Sequence, residues 1–193
     1  MRLTKLTHRF DEALQLAADL HRKQFRKGTG TPYMAHLLGV ASLVLEDGGD
    51  EDQAIAALLH DAAEDQGGRN ILEEIRARFG DRVATIVDGC TDTYEVPKPA
   101  WRRRKEDYLE HLRSVPSSVR LVSLADKLQN ARSILTDLNR SGEKVWLRFN
   151  GGKEGTLWYY RSLVKVFQEL DTSILVDELS QVVKSIEQIS STK

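Results

Sequence analysis

The chain has 193 residues, of which 40% are apolar and 30% charged, and a formal net charge of −1. That balance fits one soluble globular domain with a sizeable core; it excludes a bilayer-spanning run and gives no basic excess for a general nucleic-acid surface. The single cysteine, Cys90, excludes both a disulfide framework and a thiolate zinc cluster within one chain, and its helical pattern marks it as packing.

The start, Met1-Arg2-Leu3-Thr4-Lys5, has no apolar signal core and leads straight into an amphipathic segment, so a cytoplasmic protein is expected. Phe10, Ala13, Leu14, Ala17, Leu20 and Gln24 recur at spacings of three and four, which predicts a first helix from about His8 to Arg26. Gly28-Thr29-Gly30 ends it. Thr31-Pro32 reads as a cap with proline at the first helical position of a second helix carrying His36, Val40, Leu43 and Val44. Asp47-Gly48-Gly49-Asp50 closes that helix and caps a third, running from Glu51 to about Asp65.

This third helix is apolar on every side through Ala54-Ile55-Ala56-Ala57-Leu58-Leu59, the pattern of a buried helix, and then turns polar at His60-Asp61-Ala62-Ala63-Glu64-Asp65. A carboxylate and an imidazole there cost on the order of several kcal/mol unless charge or hydrogen bonds compensate them. His60 with Glu64, and Asp61 with Asp65, stand at i and i+4, so four polar side chains fill two adjoining rows along one side. One row suits a metal, the other the handling of water.

Ile71, Ile75 and Phe79 mark a fourth helix, and Val83, Ile86, Val87 and Cys90 a fifth. Thr91 to Pro99 is a polar loop before a helix opened by Trp101-Arg102-Arg103-Arg104-Lys105. A basic first turn is disfavoured by the helix dipole, so an anion is expected nearby, with a solvated face as the plainer account. Leu121, Leu124, Ala125, Leu128, Ala131 and Leu135 form the next stripe, with Asp126 and Asn130 beside it. Asn139 to Gly155 reads as a Gly-rich loop with Val145, Trp146, Leu147 and Phe149 as an apolar patch. Two closing helices follow, through Leu163, Val166 and Leu170, and through Leu175, Leu179, Val182 and Ile186. With no persistent strand alternation, the class is all-α, a single compact helical bundle.

His36, the His60-Asp61 pair and Asp126 come from three helices and each is flanked by apolar residues. Singly, each has an ordinary structural account; together they form a metal shell. Two imidazoles and two carboxylates suit one divalent ion with open positions, Mn²⁺ better than a closed Zn²⁺ site, while iron and magnesium stay open.

This order resembles the HD-domain phosphohydrolases. Gln24-Phe25-Arg26-Lys27-Gly28-Thr29-Gly30-Thr31-Pro32-Tyr33-Met34-Ala35-His36 is similar to the opening motif of the hydrolase domain of RelA/SpoT homologues, and His60-Asp61-Ala62-Ala63-Glu64-Asp65 to their His-Asp-x-x-Glu-Asp signature. Phe79-Gly80 with Val83 to Asp92, and Leu124 to Arg132, resemble later motifs. The resemblance covers most of residues 10 to 135 and fades after Asn139.

It implies one HD-type hydrolase domain over residues 1–193, with a motif-bearing core at about 8–138 and closing helices at about 156–190. That length leaves no room for the synthetase and regulatory domains of long members, so the chain is similar to the small alarmone hydrolases. The implied reaction is hydrolysis of the 3′-pyrophosphate of ppGpp or pppGpp. The implied roles are metal ligation by His36, His60, Asp61 and Asp126, and orientation or deprotonation of water by Glu64 and Asp65. Nucleotide contact falls to Arg26, Lys27 and Asn130, with Arg104 and Lys105 for 5′-phosphates and Tyr159 or Tyr160 as a pocket wall. No nucleic-acid or membrane partner is implied, and homo-oligomerisation stays open. Two rivals also stay open. One is an HD phosphohydrolase acting on a deoxynucleoside monophosphate or on the 2′-phosphate of NADPH; the other is a non-catalytic alarmone sensor, against which Glu64 and Asp65 argue.

Overall fold

The computed structural model describes residues 3–95 and 97–191, so the beginning of the Met1–Lys5 start, one position of the Thr91–Pro99 loop and the end of the 1–193 domain lie outside the described residues. Its elements are α1 (His8–Leu20), α2 (Met34–Glu46), α3 (Glu51–Leu59), a π-helical turn (Ala63–Gly67), α4 (Gly68–Phe79) and α5 (Asp81–Cys90), then α6 (Trp101–Ser114), α7 (Ser117–Ser141), a 3₁₀ segment (Gly142–Arg148), α8 (Gly152–Leu170) and α9 (Ile174–Ser191). The fold is an all-α bundle with no sheet among the described residues. A lone bridge pairs Phe25 with Pro32.

The chain divides into two compact units, residues 3–95 with Val115–Asp126, and Pro97–Ser114 with residues 127–191. In the first, α3 packs against α1, α2 and α5. Its start is fixed by a capping box: Asp50 accepts from Gln53 N–H while the Gln53 side chain accepts from Asp50 N–H, satisfying two amides that a helix end would leave unpaired. Every residue from Ala54 to Leu59 is fully buried, as a run apolar on all sides requires. Cys90 lies half-buried with its Sγ 3.6 Å from Ser123 Oγ, a packing position.

Three stretches differ from the sequence reading. First, α1 stops at Leu20, and proline does not open α2. Instead Arg26 N–H donates to the Thr31 carbonyl at 2.9 Å and Tyr33 N–H to the Gln24 carbonyl at 3.0 Å, folding residues 24–33 into a narrow hairpin. Gly28, at φ 73°, supplies the left-handed residue of its turn. Second, α3 ends at Leu59 rather than near Asp65. His60 and Asp61 form a turn, and Glu64 and Asp65 ride on the π-helical one. The His60 imidazole takes the Ala57 carbonyl, the acceptor at which a continuing α-helix would receive the Asp61 amide. Third, most of the expected 139–155 loop is ordered: α7 runs to Ser141 and the 3₁₀ segment follows. Its Val145 and Trp146 are buried while Leu147 between them and Arg148 is 88% exposed, so only part of the apolar patch packs.

In the second unit α8 packs on α6 and α9. Trp101 lies so close to Gly151 that a Cβ there would come within 2.6 Å of the indole ring. Arg102 stacks on Trp158, its guanidinium carbon 3.2 Å from the ring centroid, and pairs with Glu106 at 2.7 Å, while Arg103 pairs with Asp107 at 3.7 Å. Arg102 and Arg103 of the basic first turn thus meet carboxylates one turn on in the same helix. No helix among the described residues is long and apolar enough to cross a membrane.

Candidate metal centre

Three elements of the first unit bring side chains to one buried point. His36 comes from the first turn of α2, His60 from the turn that ends α3, and Asp126 from α7. All three are buried, and one ligand atom from each lies within 4.8 Å of the others. Asp126 Oδ1 is 3.3 Å from His36 Nε2 and 3.7 Å from His60 Nε2. Asp61 joins them, with Oδ2 at 3.0 Å from His60 Nε2 and 3.5 Å from His36 Nε2.

The ring of His60 is fixed from behind: Nδ1–H donates to the Ala57 carbonyl at 2.9 Å, so Nε2 is the nitrogen that faces the carboxylates and, once deprotonated, offers its lone pair there. Among the described residues that buried Nε2 meets only the carboxylates of Asp61 and Asp126, and His36 Nδ1 is buried without a hydrogen-bond partner. Imidazole nitrogens and carboxylate oxygens turned toward one another at a buried point are an arrangement that a shared cation would satisfy. Two imidazoles and carboxylate oxygens, with no thiolate, are a donor set for a divalent metal.

Without a metal the charges compensate one another. Burial pushes the His60 imidazole down, but the carboxylate of Asp61, with that of Asp126, outweighs it and holds His60 well above the ordinary histidine value. Burial would raise Asp61, yet His60 and then His36 hold its carboxyl well below the usual range.

The acidic couple is anchored separately. Glu64 Oε2 accepts from Asp92 N–H at 3.1 Å, and Asp65 Oδ2 accepts from Gln24 Nε2 at 2.7 Å. Gln24 is in turn oriented by His21, whose Nδ1 is 2.6 Å from Gln24 Oε1, and by Gln66, whose amide donates to the same oxygen. His21 is buried and its imidazole is lowered by that burial, partly countered by the Gln24 bond. Tyr33 donates its phenol O–H to Asp61 Oδ2 at 2.6 Å.

Of the sequence candidates, His36, His60, Asp61 and Asp126 converge, and Glu64 and Asp65 follow on the next turn. Arg26 lies in the hairpin with its guanidinium carbon 5.6 Å from the Tyr33 ring centroid, and Lys27 is exposed beside it. Arg104, Lys105, Asn130 and Tyr159 belong to the second unit. There Lys105 Nζ stands 5.2 Å from the Tyr159 ring centroid and Arg104 Nε donates to the Pro99 carbonyl at 3.2 Å. The helical stripes assign no site role to Tyr33, His21 or Gln66, and they place Gln24 in the first helix, which ends before it at Leu20. The signal available was that Tyr33 and Gln24 flank a glycine turn directly before the first metal histidine.

Residues 13–157 match the HD domain. The chain belongs to the HD-domain family. This HD domain is 41% identical over 138 residues to the guanosine-3′,5′-bis(diphosphate) 3′-pyrophosphohydrolase MESH1 of Xenopus tropicalis, covering 70% of this chain and 72% of the relative. It is 40% identical, with the same coverage, to the human protein of that name. A solved structure described as a metazoan ortholog of SpoT that hydrolyzes ppGpp and plays a role in starvation responses superposes with a TM-score of 0.76 at 26% identity, over 94% of this chain and 97% of the other. The crystal structure of lmo0812 from Listeria monocytogenes EGD-e gives 0.69 at 31% identity, over 79% and 99%. The HD domain described here is homologous to the MESH1/SpoT hydrolases, and its imidazole and carboxylate cluster is the counterpart expected of a metal-dependent hydrolase.

Proposed function

We propose that this chain hydrolyses the 3′-pyrophosphate of ppGpp or pppGpp, yielding GDP or GTP and pyrophosphate, in the cytoplasm. The observation that carries the reading is the buried His36, His60 and Asp126 group in a chain whose relatives bear that activity in their names. His36, His60 and Asp126 would hold one divalent ion with Asp61 beside them, and Mn²⁺ suits such a set of nitrogen and oxygen donors. When bound, the ion lowers the pKa of water and offsets charge on phosphoryl oxygens.

Glu64 and Asp65 are the acid and base pair. A carboxylate of the pair takes a proton from the attacking water as the water oxygen bonds to phosphorus and the bond between that phosphorus and the ribose 3′ oxygen breaks, and the resulting carboxylic acid returns the proton to the departing 3′ oxygen. The Asp92 amide and the Gln24 side chain hold the two carboxylates in place for that task. Arg26 and Lys27 receive the nucleotide, as the family resemblance implies, and a guanidinium both stacks on a purine and grips phosphate. Asn130, on the family resemblance, and Arg104, Lys105 and Tyr159, on residue chemistry alone, are assigned as further nucleotide contacts.

The test is incubation of the Mn²⁺-loaded chain with ppGpp, deoxynucleoside monophosphates and NADPH, with identification of products. GDP and pyrophosphate from ppGpp are expected. Release of inorganic phosphate alone from every substrate, or ppGpp bound but left intact in excess Mn²⁺, overturns the proposal.

A further inference from the structure

Tyr33 is neither a member of the metal-ligating group nor of the acidic couple, yet its phenol donates to Asp61 Oδ2 at 2.6 Å. That oxygen is also the one facing both imidazoles, 3.0 Å from His60 Nε2 and 3.5 Å from His36 Nε2. The ring is fixed from several directions. The backbone N–H of Tyr33 donates to the Gln24 carbonyl at 3.0 Å, closing the hairpin. The face of the ring lies on His21, with centroids 5.2 Å apart and planes 14° from parallel, and the His36 imidazole meets it at 5.5 Å and 68°. His21 cannot yield easily, being 1% exposed and held to Gln24 Oε1 at 2.6 Å.

A donor fixed this firmly constrains its acceptor. The Asp61 side chain sits on a turn rather than within a helix, and its carboxylate orientation is set by the His36 and His60 imidazoles together with the Tyr33 hydroxyl. Ligating carboxylates that are themselves hydrogen-bonded hold their orientation, and loss of such an outer partner weakens metal binding.

We infer that Tyr33 is a positioning residue: its hydroxyl fixes the Asp61 carboxylate against His36 and His60 and thereby sets the affinity of the site for a divalent cation. The hairpin of residues 24–33 then reaches Asp61 through the Tyr33 hydroxyl, while the aromatic ring packs against His21 and His36. The inference rests on the reading of the imidazole and carboxylate group as a metal site.

Tyr33→Phe separates the two roles, because it keeps the ring and removes only the hydroxyl. The full chain, stripped with chelator, is titrated with Mn²⁺ in the absence of nucleotide, and free Mn²⁺ is followed by electron paramagnetic resonance. Wild type, Y33F and H60A are compared. The expected result is a dissociation constant about 10- to 100-fold weaker in Y33F than in wild type. Metal-free Y33F should still melt cooperatively, within about 4 °C of wild type. An affinity within about twofold of wild type, against the larger change an outer partner ordinarily carries, overturns the inference. So does a metal-free Y33F chain with no cooperative melt, since the hydroxyl would then be holding the fold. Wild type that binds Mn²⁺ no better than H60A overturns the metal reading itself, an outcome distinct from equal, tight binding by wild type and Y33F.

Discussion

His60 Nδ1 lies 2.9 Å from the carbonyl oxygen of Ala57, three residues back in α3, so the buried helix orients the imidazole that the site uses. The same bond requires a proton on Nδ1 and leaves Nε2 facing Asp61 and Asp126. His60→Ala is therefore expected to lose metal and hydrolysis together. Its Mn²⁺ affinity should fall beyond the roughly 10- to 100-fold typical of an outer-shell change. Isothermal titration with Mn²⁺ alongside product assays checks this; activity at wild-type level in a chain that no longer retains metal would contradict it.

Glu64→Gln separates ligation from proton transfer. The amide oxygen of glutamine can still accept from Asp92 N–H, as Glu64 Oε2 does at 3.1 Å, so the π-helical turn keeps its anchor. Only the basic carboxylate is lost. Turnover is expected to fall by about 10²- to 10⁴-fold, the range of a general acid or base, with metal content unchanged. Unchanged hydrolysis in a chain with full metal occupancy would remove Glu64 from the reaction.

The raised His60 gives a pH dependence of definite sign. In metal-free protein the folded state holds the His60 proton more tightly than the unfolded chain, whose histidine titrates near about 6.5. The stabilisation is complete below that value and is lost as pH rises through the higher folded-state value. The melting temperature of chelator-treated protein should thus decline from near neutral pH upward. Mn²⁺ displaces the proton, so the gain in melting temperature on adding metal should grow over the same range. Differential scanning fluorimetry at a series of pH values reads both slopes, and a metal-dependent gain that shrinks with rising pH would be the contrary result.

Leu58 tests the hub. It is fully buried in α3, the helix on which α1, α2 and α5 converge. Leu58→Ala removes buried methyl groups and leaves a cavity, at a cost of about 2–5 kcal/mol. Urea unfolding should show a lower midpoint with an unchanged slope. A loss below about 1 kcal/mol would mean that the surrounding helices collapse onto the vacated space.

The sequence by itself determined that this is an all-α chain, that Ala54 to Leu59 lie in its core, and that His36, His60, Asp61 and Asp126 share a place. The physical reason is that burial is written locally: a run apolar on every side has only the interior to occupy, and polar groups set into apolar stripes need partners of opposite character. Tertiary structure alone decided the helix ends around those residues. The end of α3 at Leu59, the π-helical turn under Glu64 and Asp65, and the hairpin that brings Gln24 to Asp65 and Tyr33 to Asp61 are bound up with hydrogen bonds between side chains and backbone that helical periodicity does not encode. Periodicity registers which face of an element is apolar; it carries no record of which carbonyl an imidazole will take, or of which carboxylate a phenol will meet once distant segments fold together.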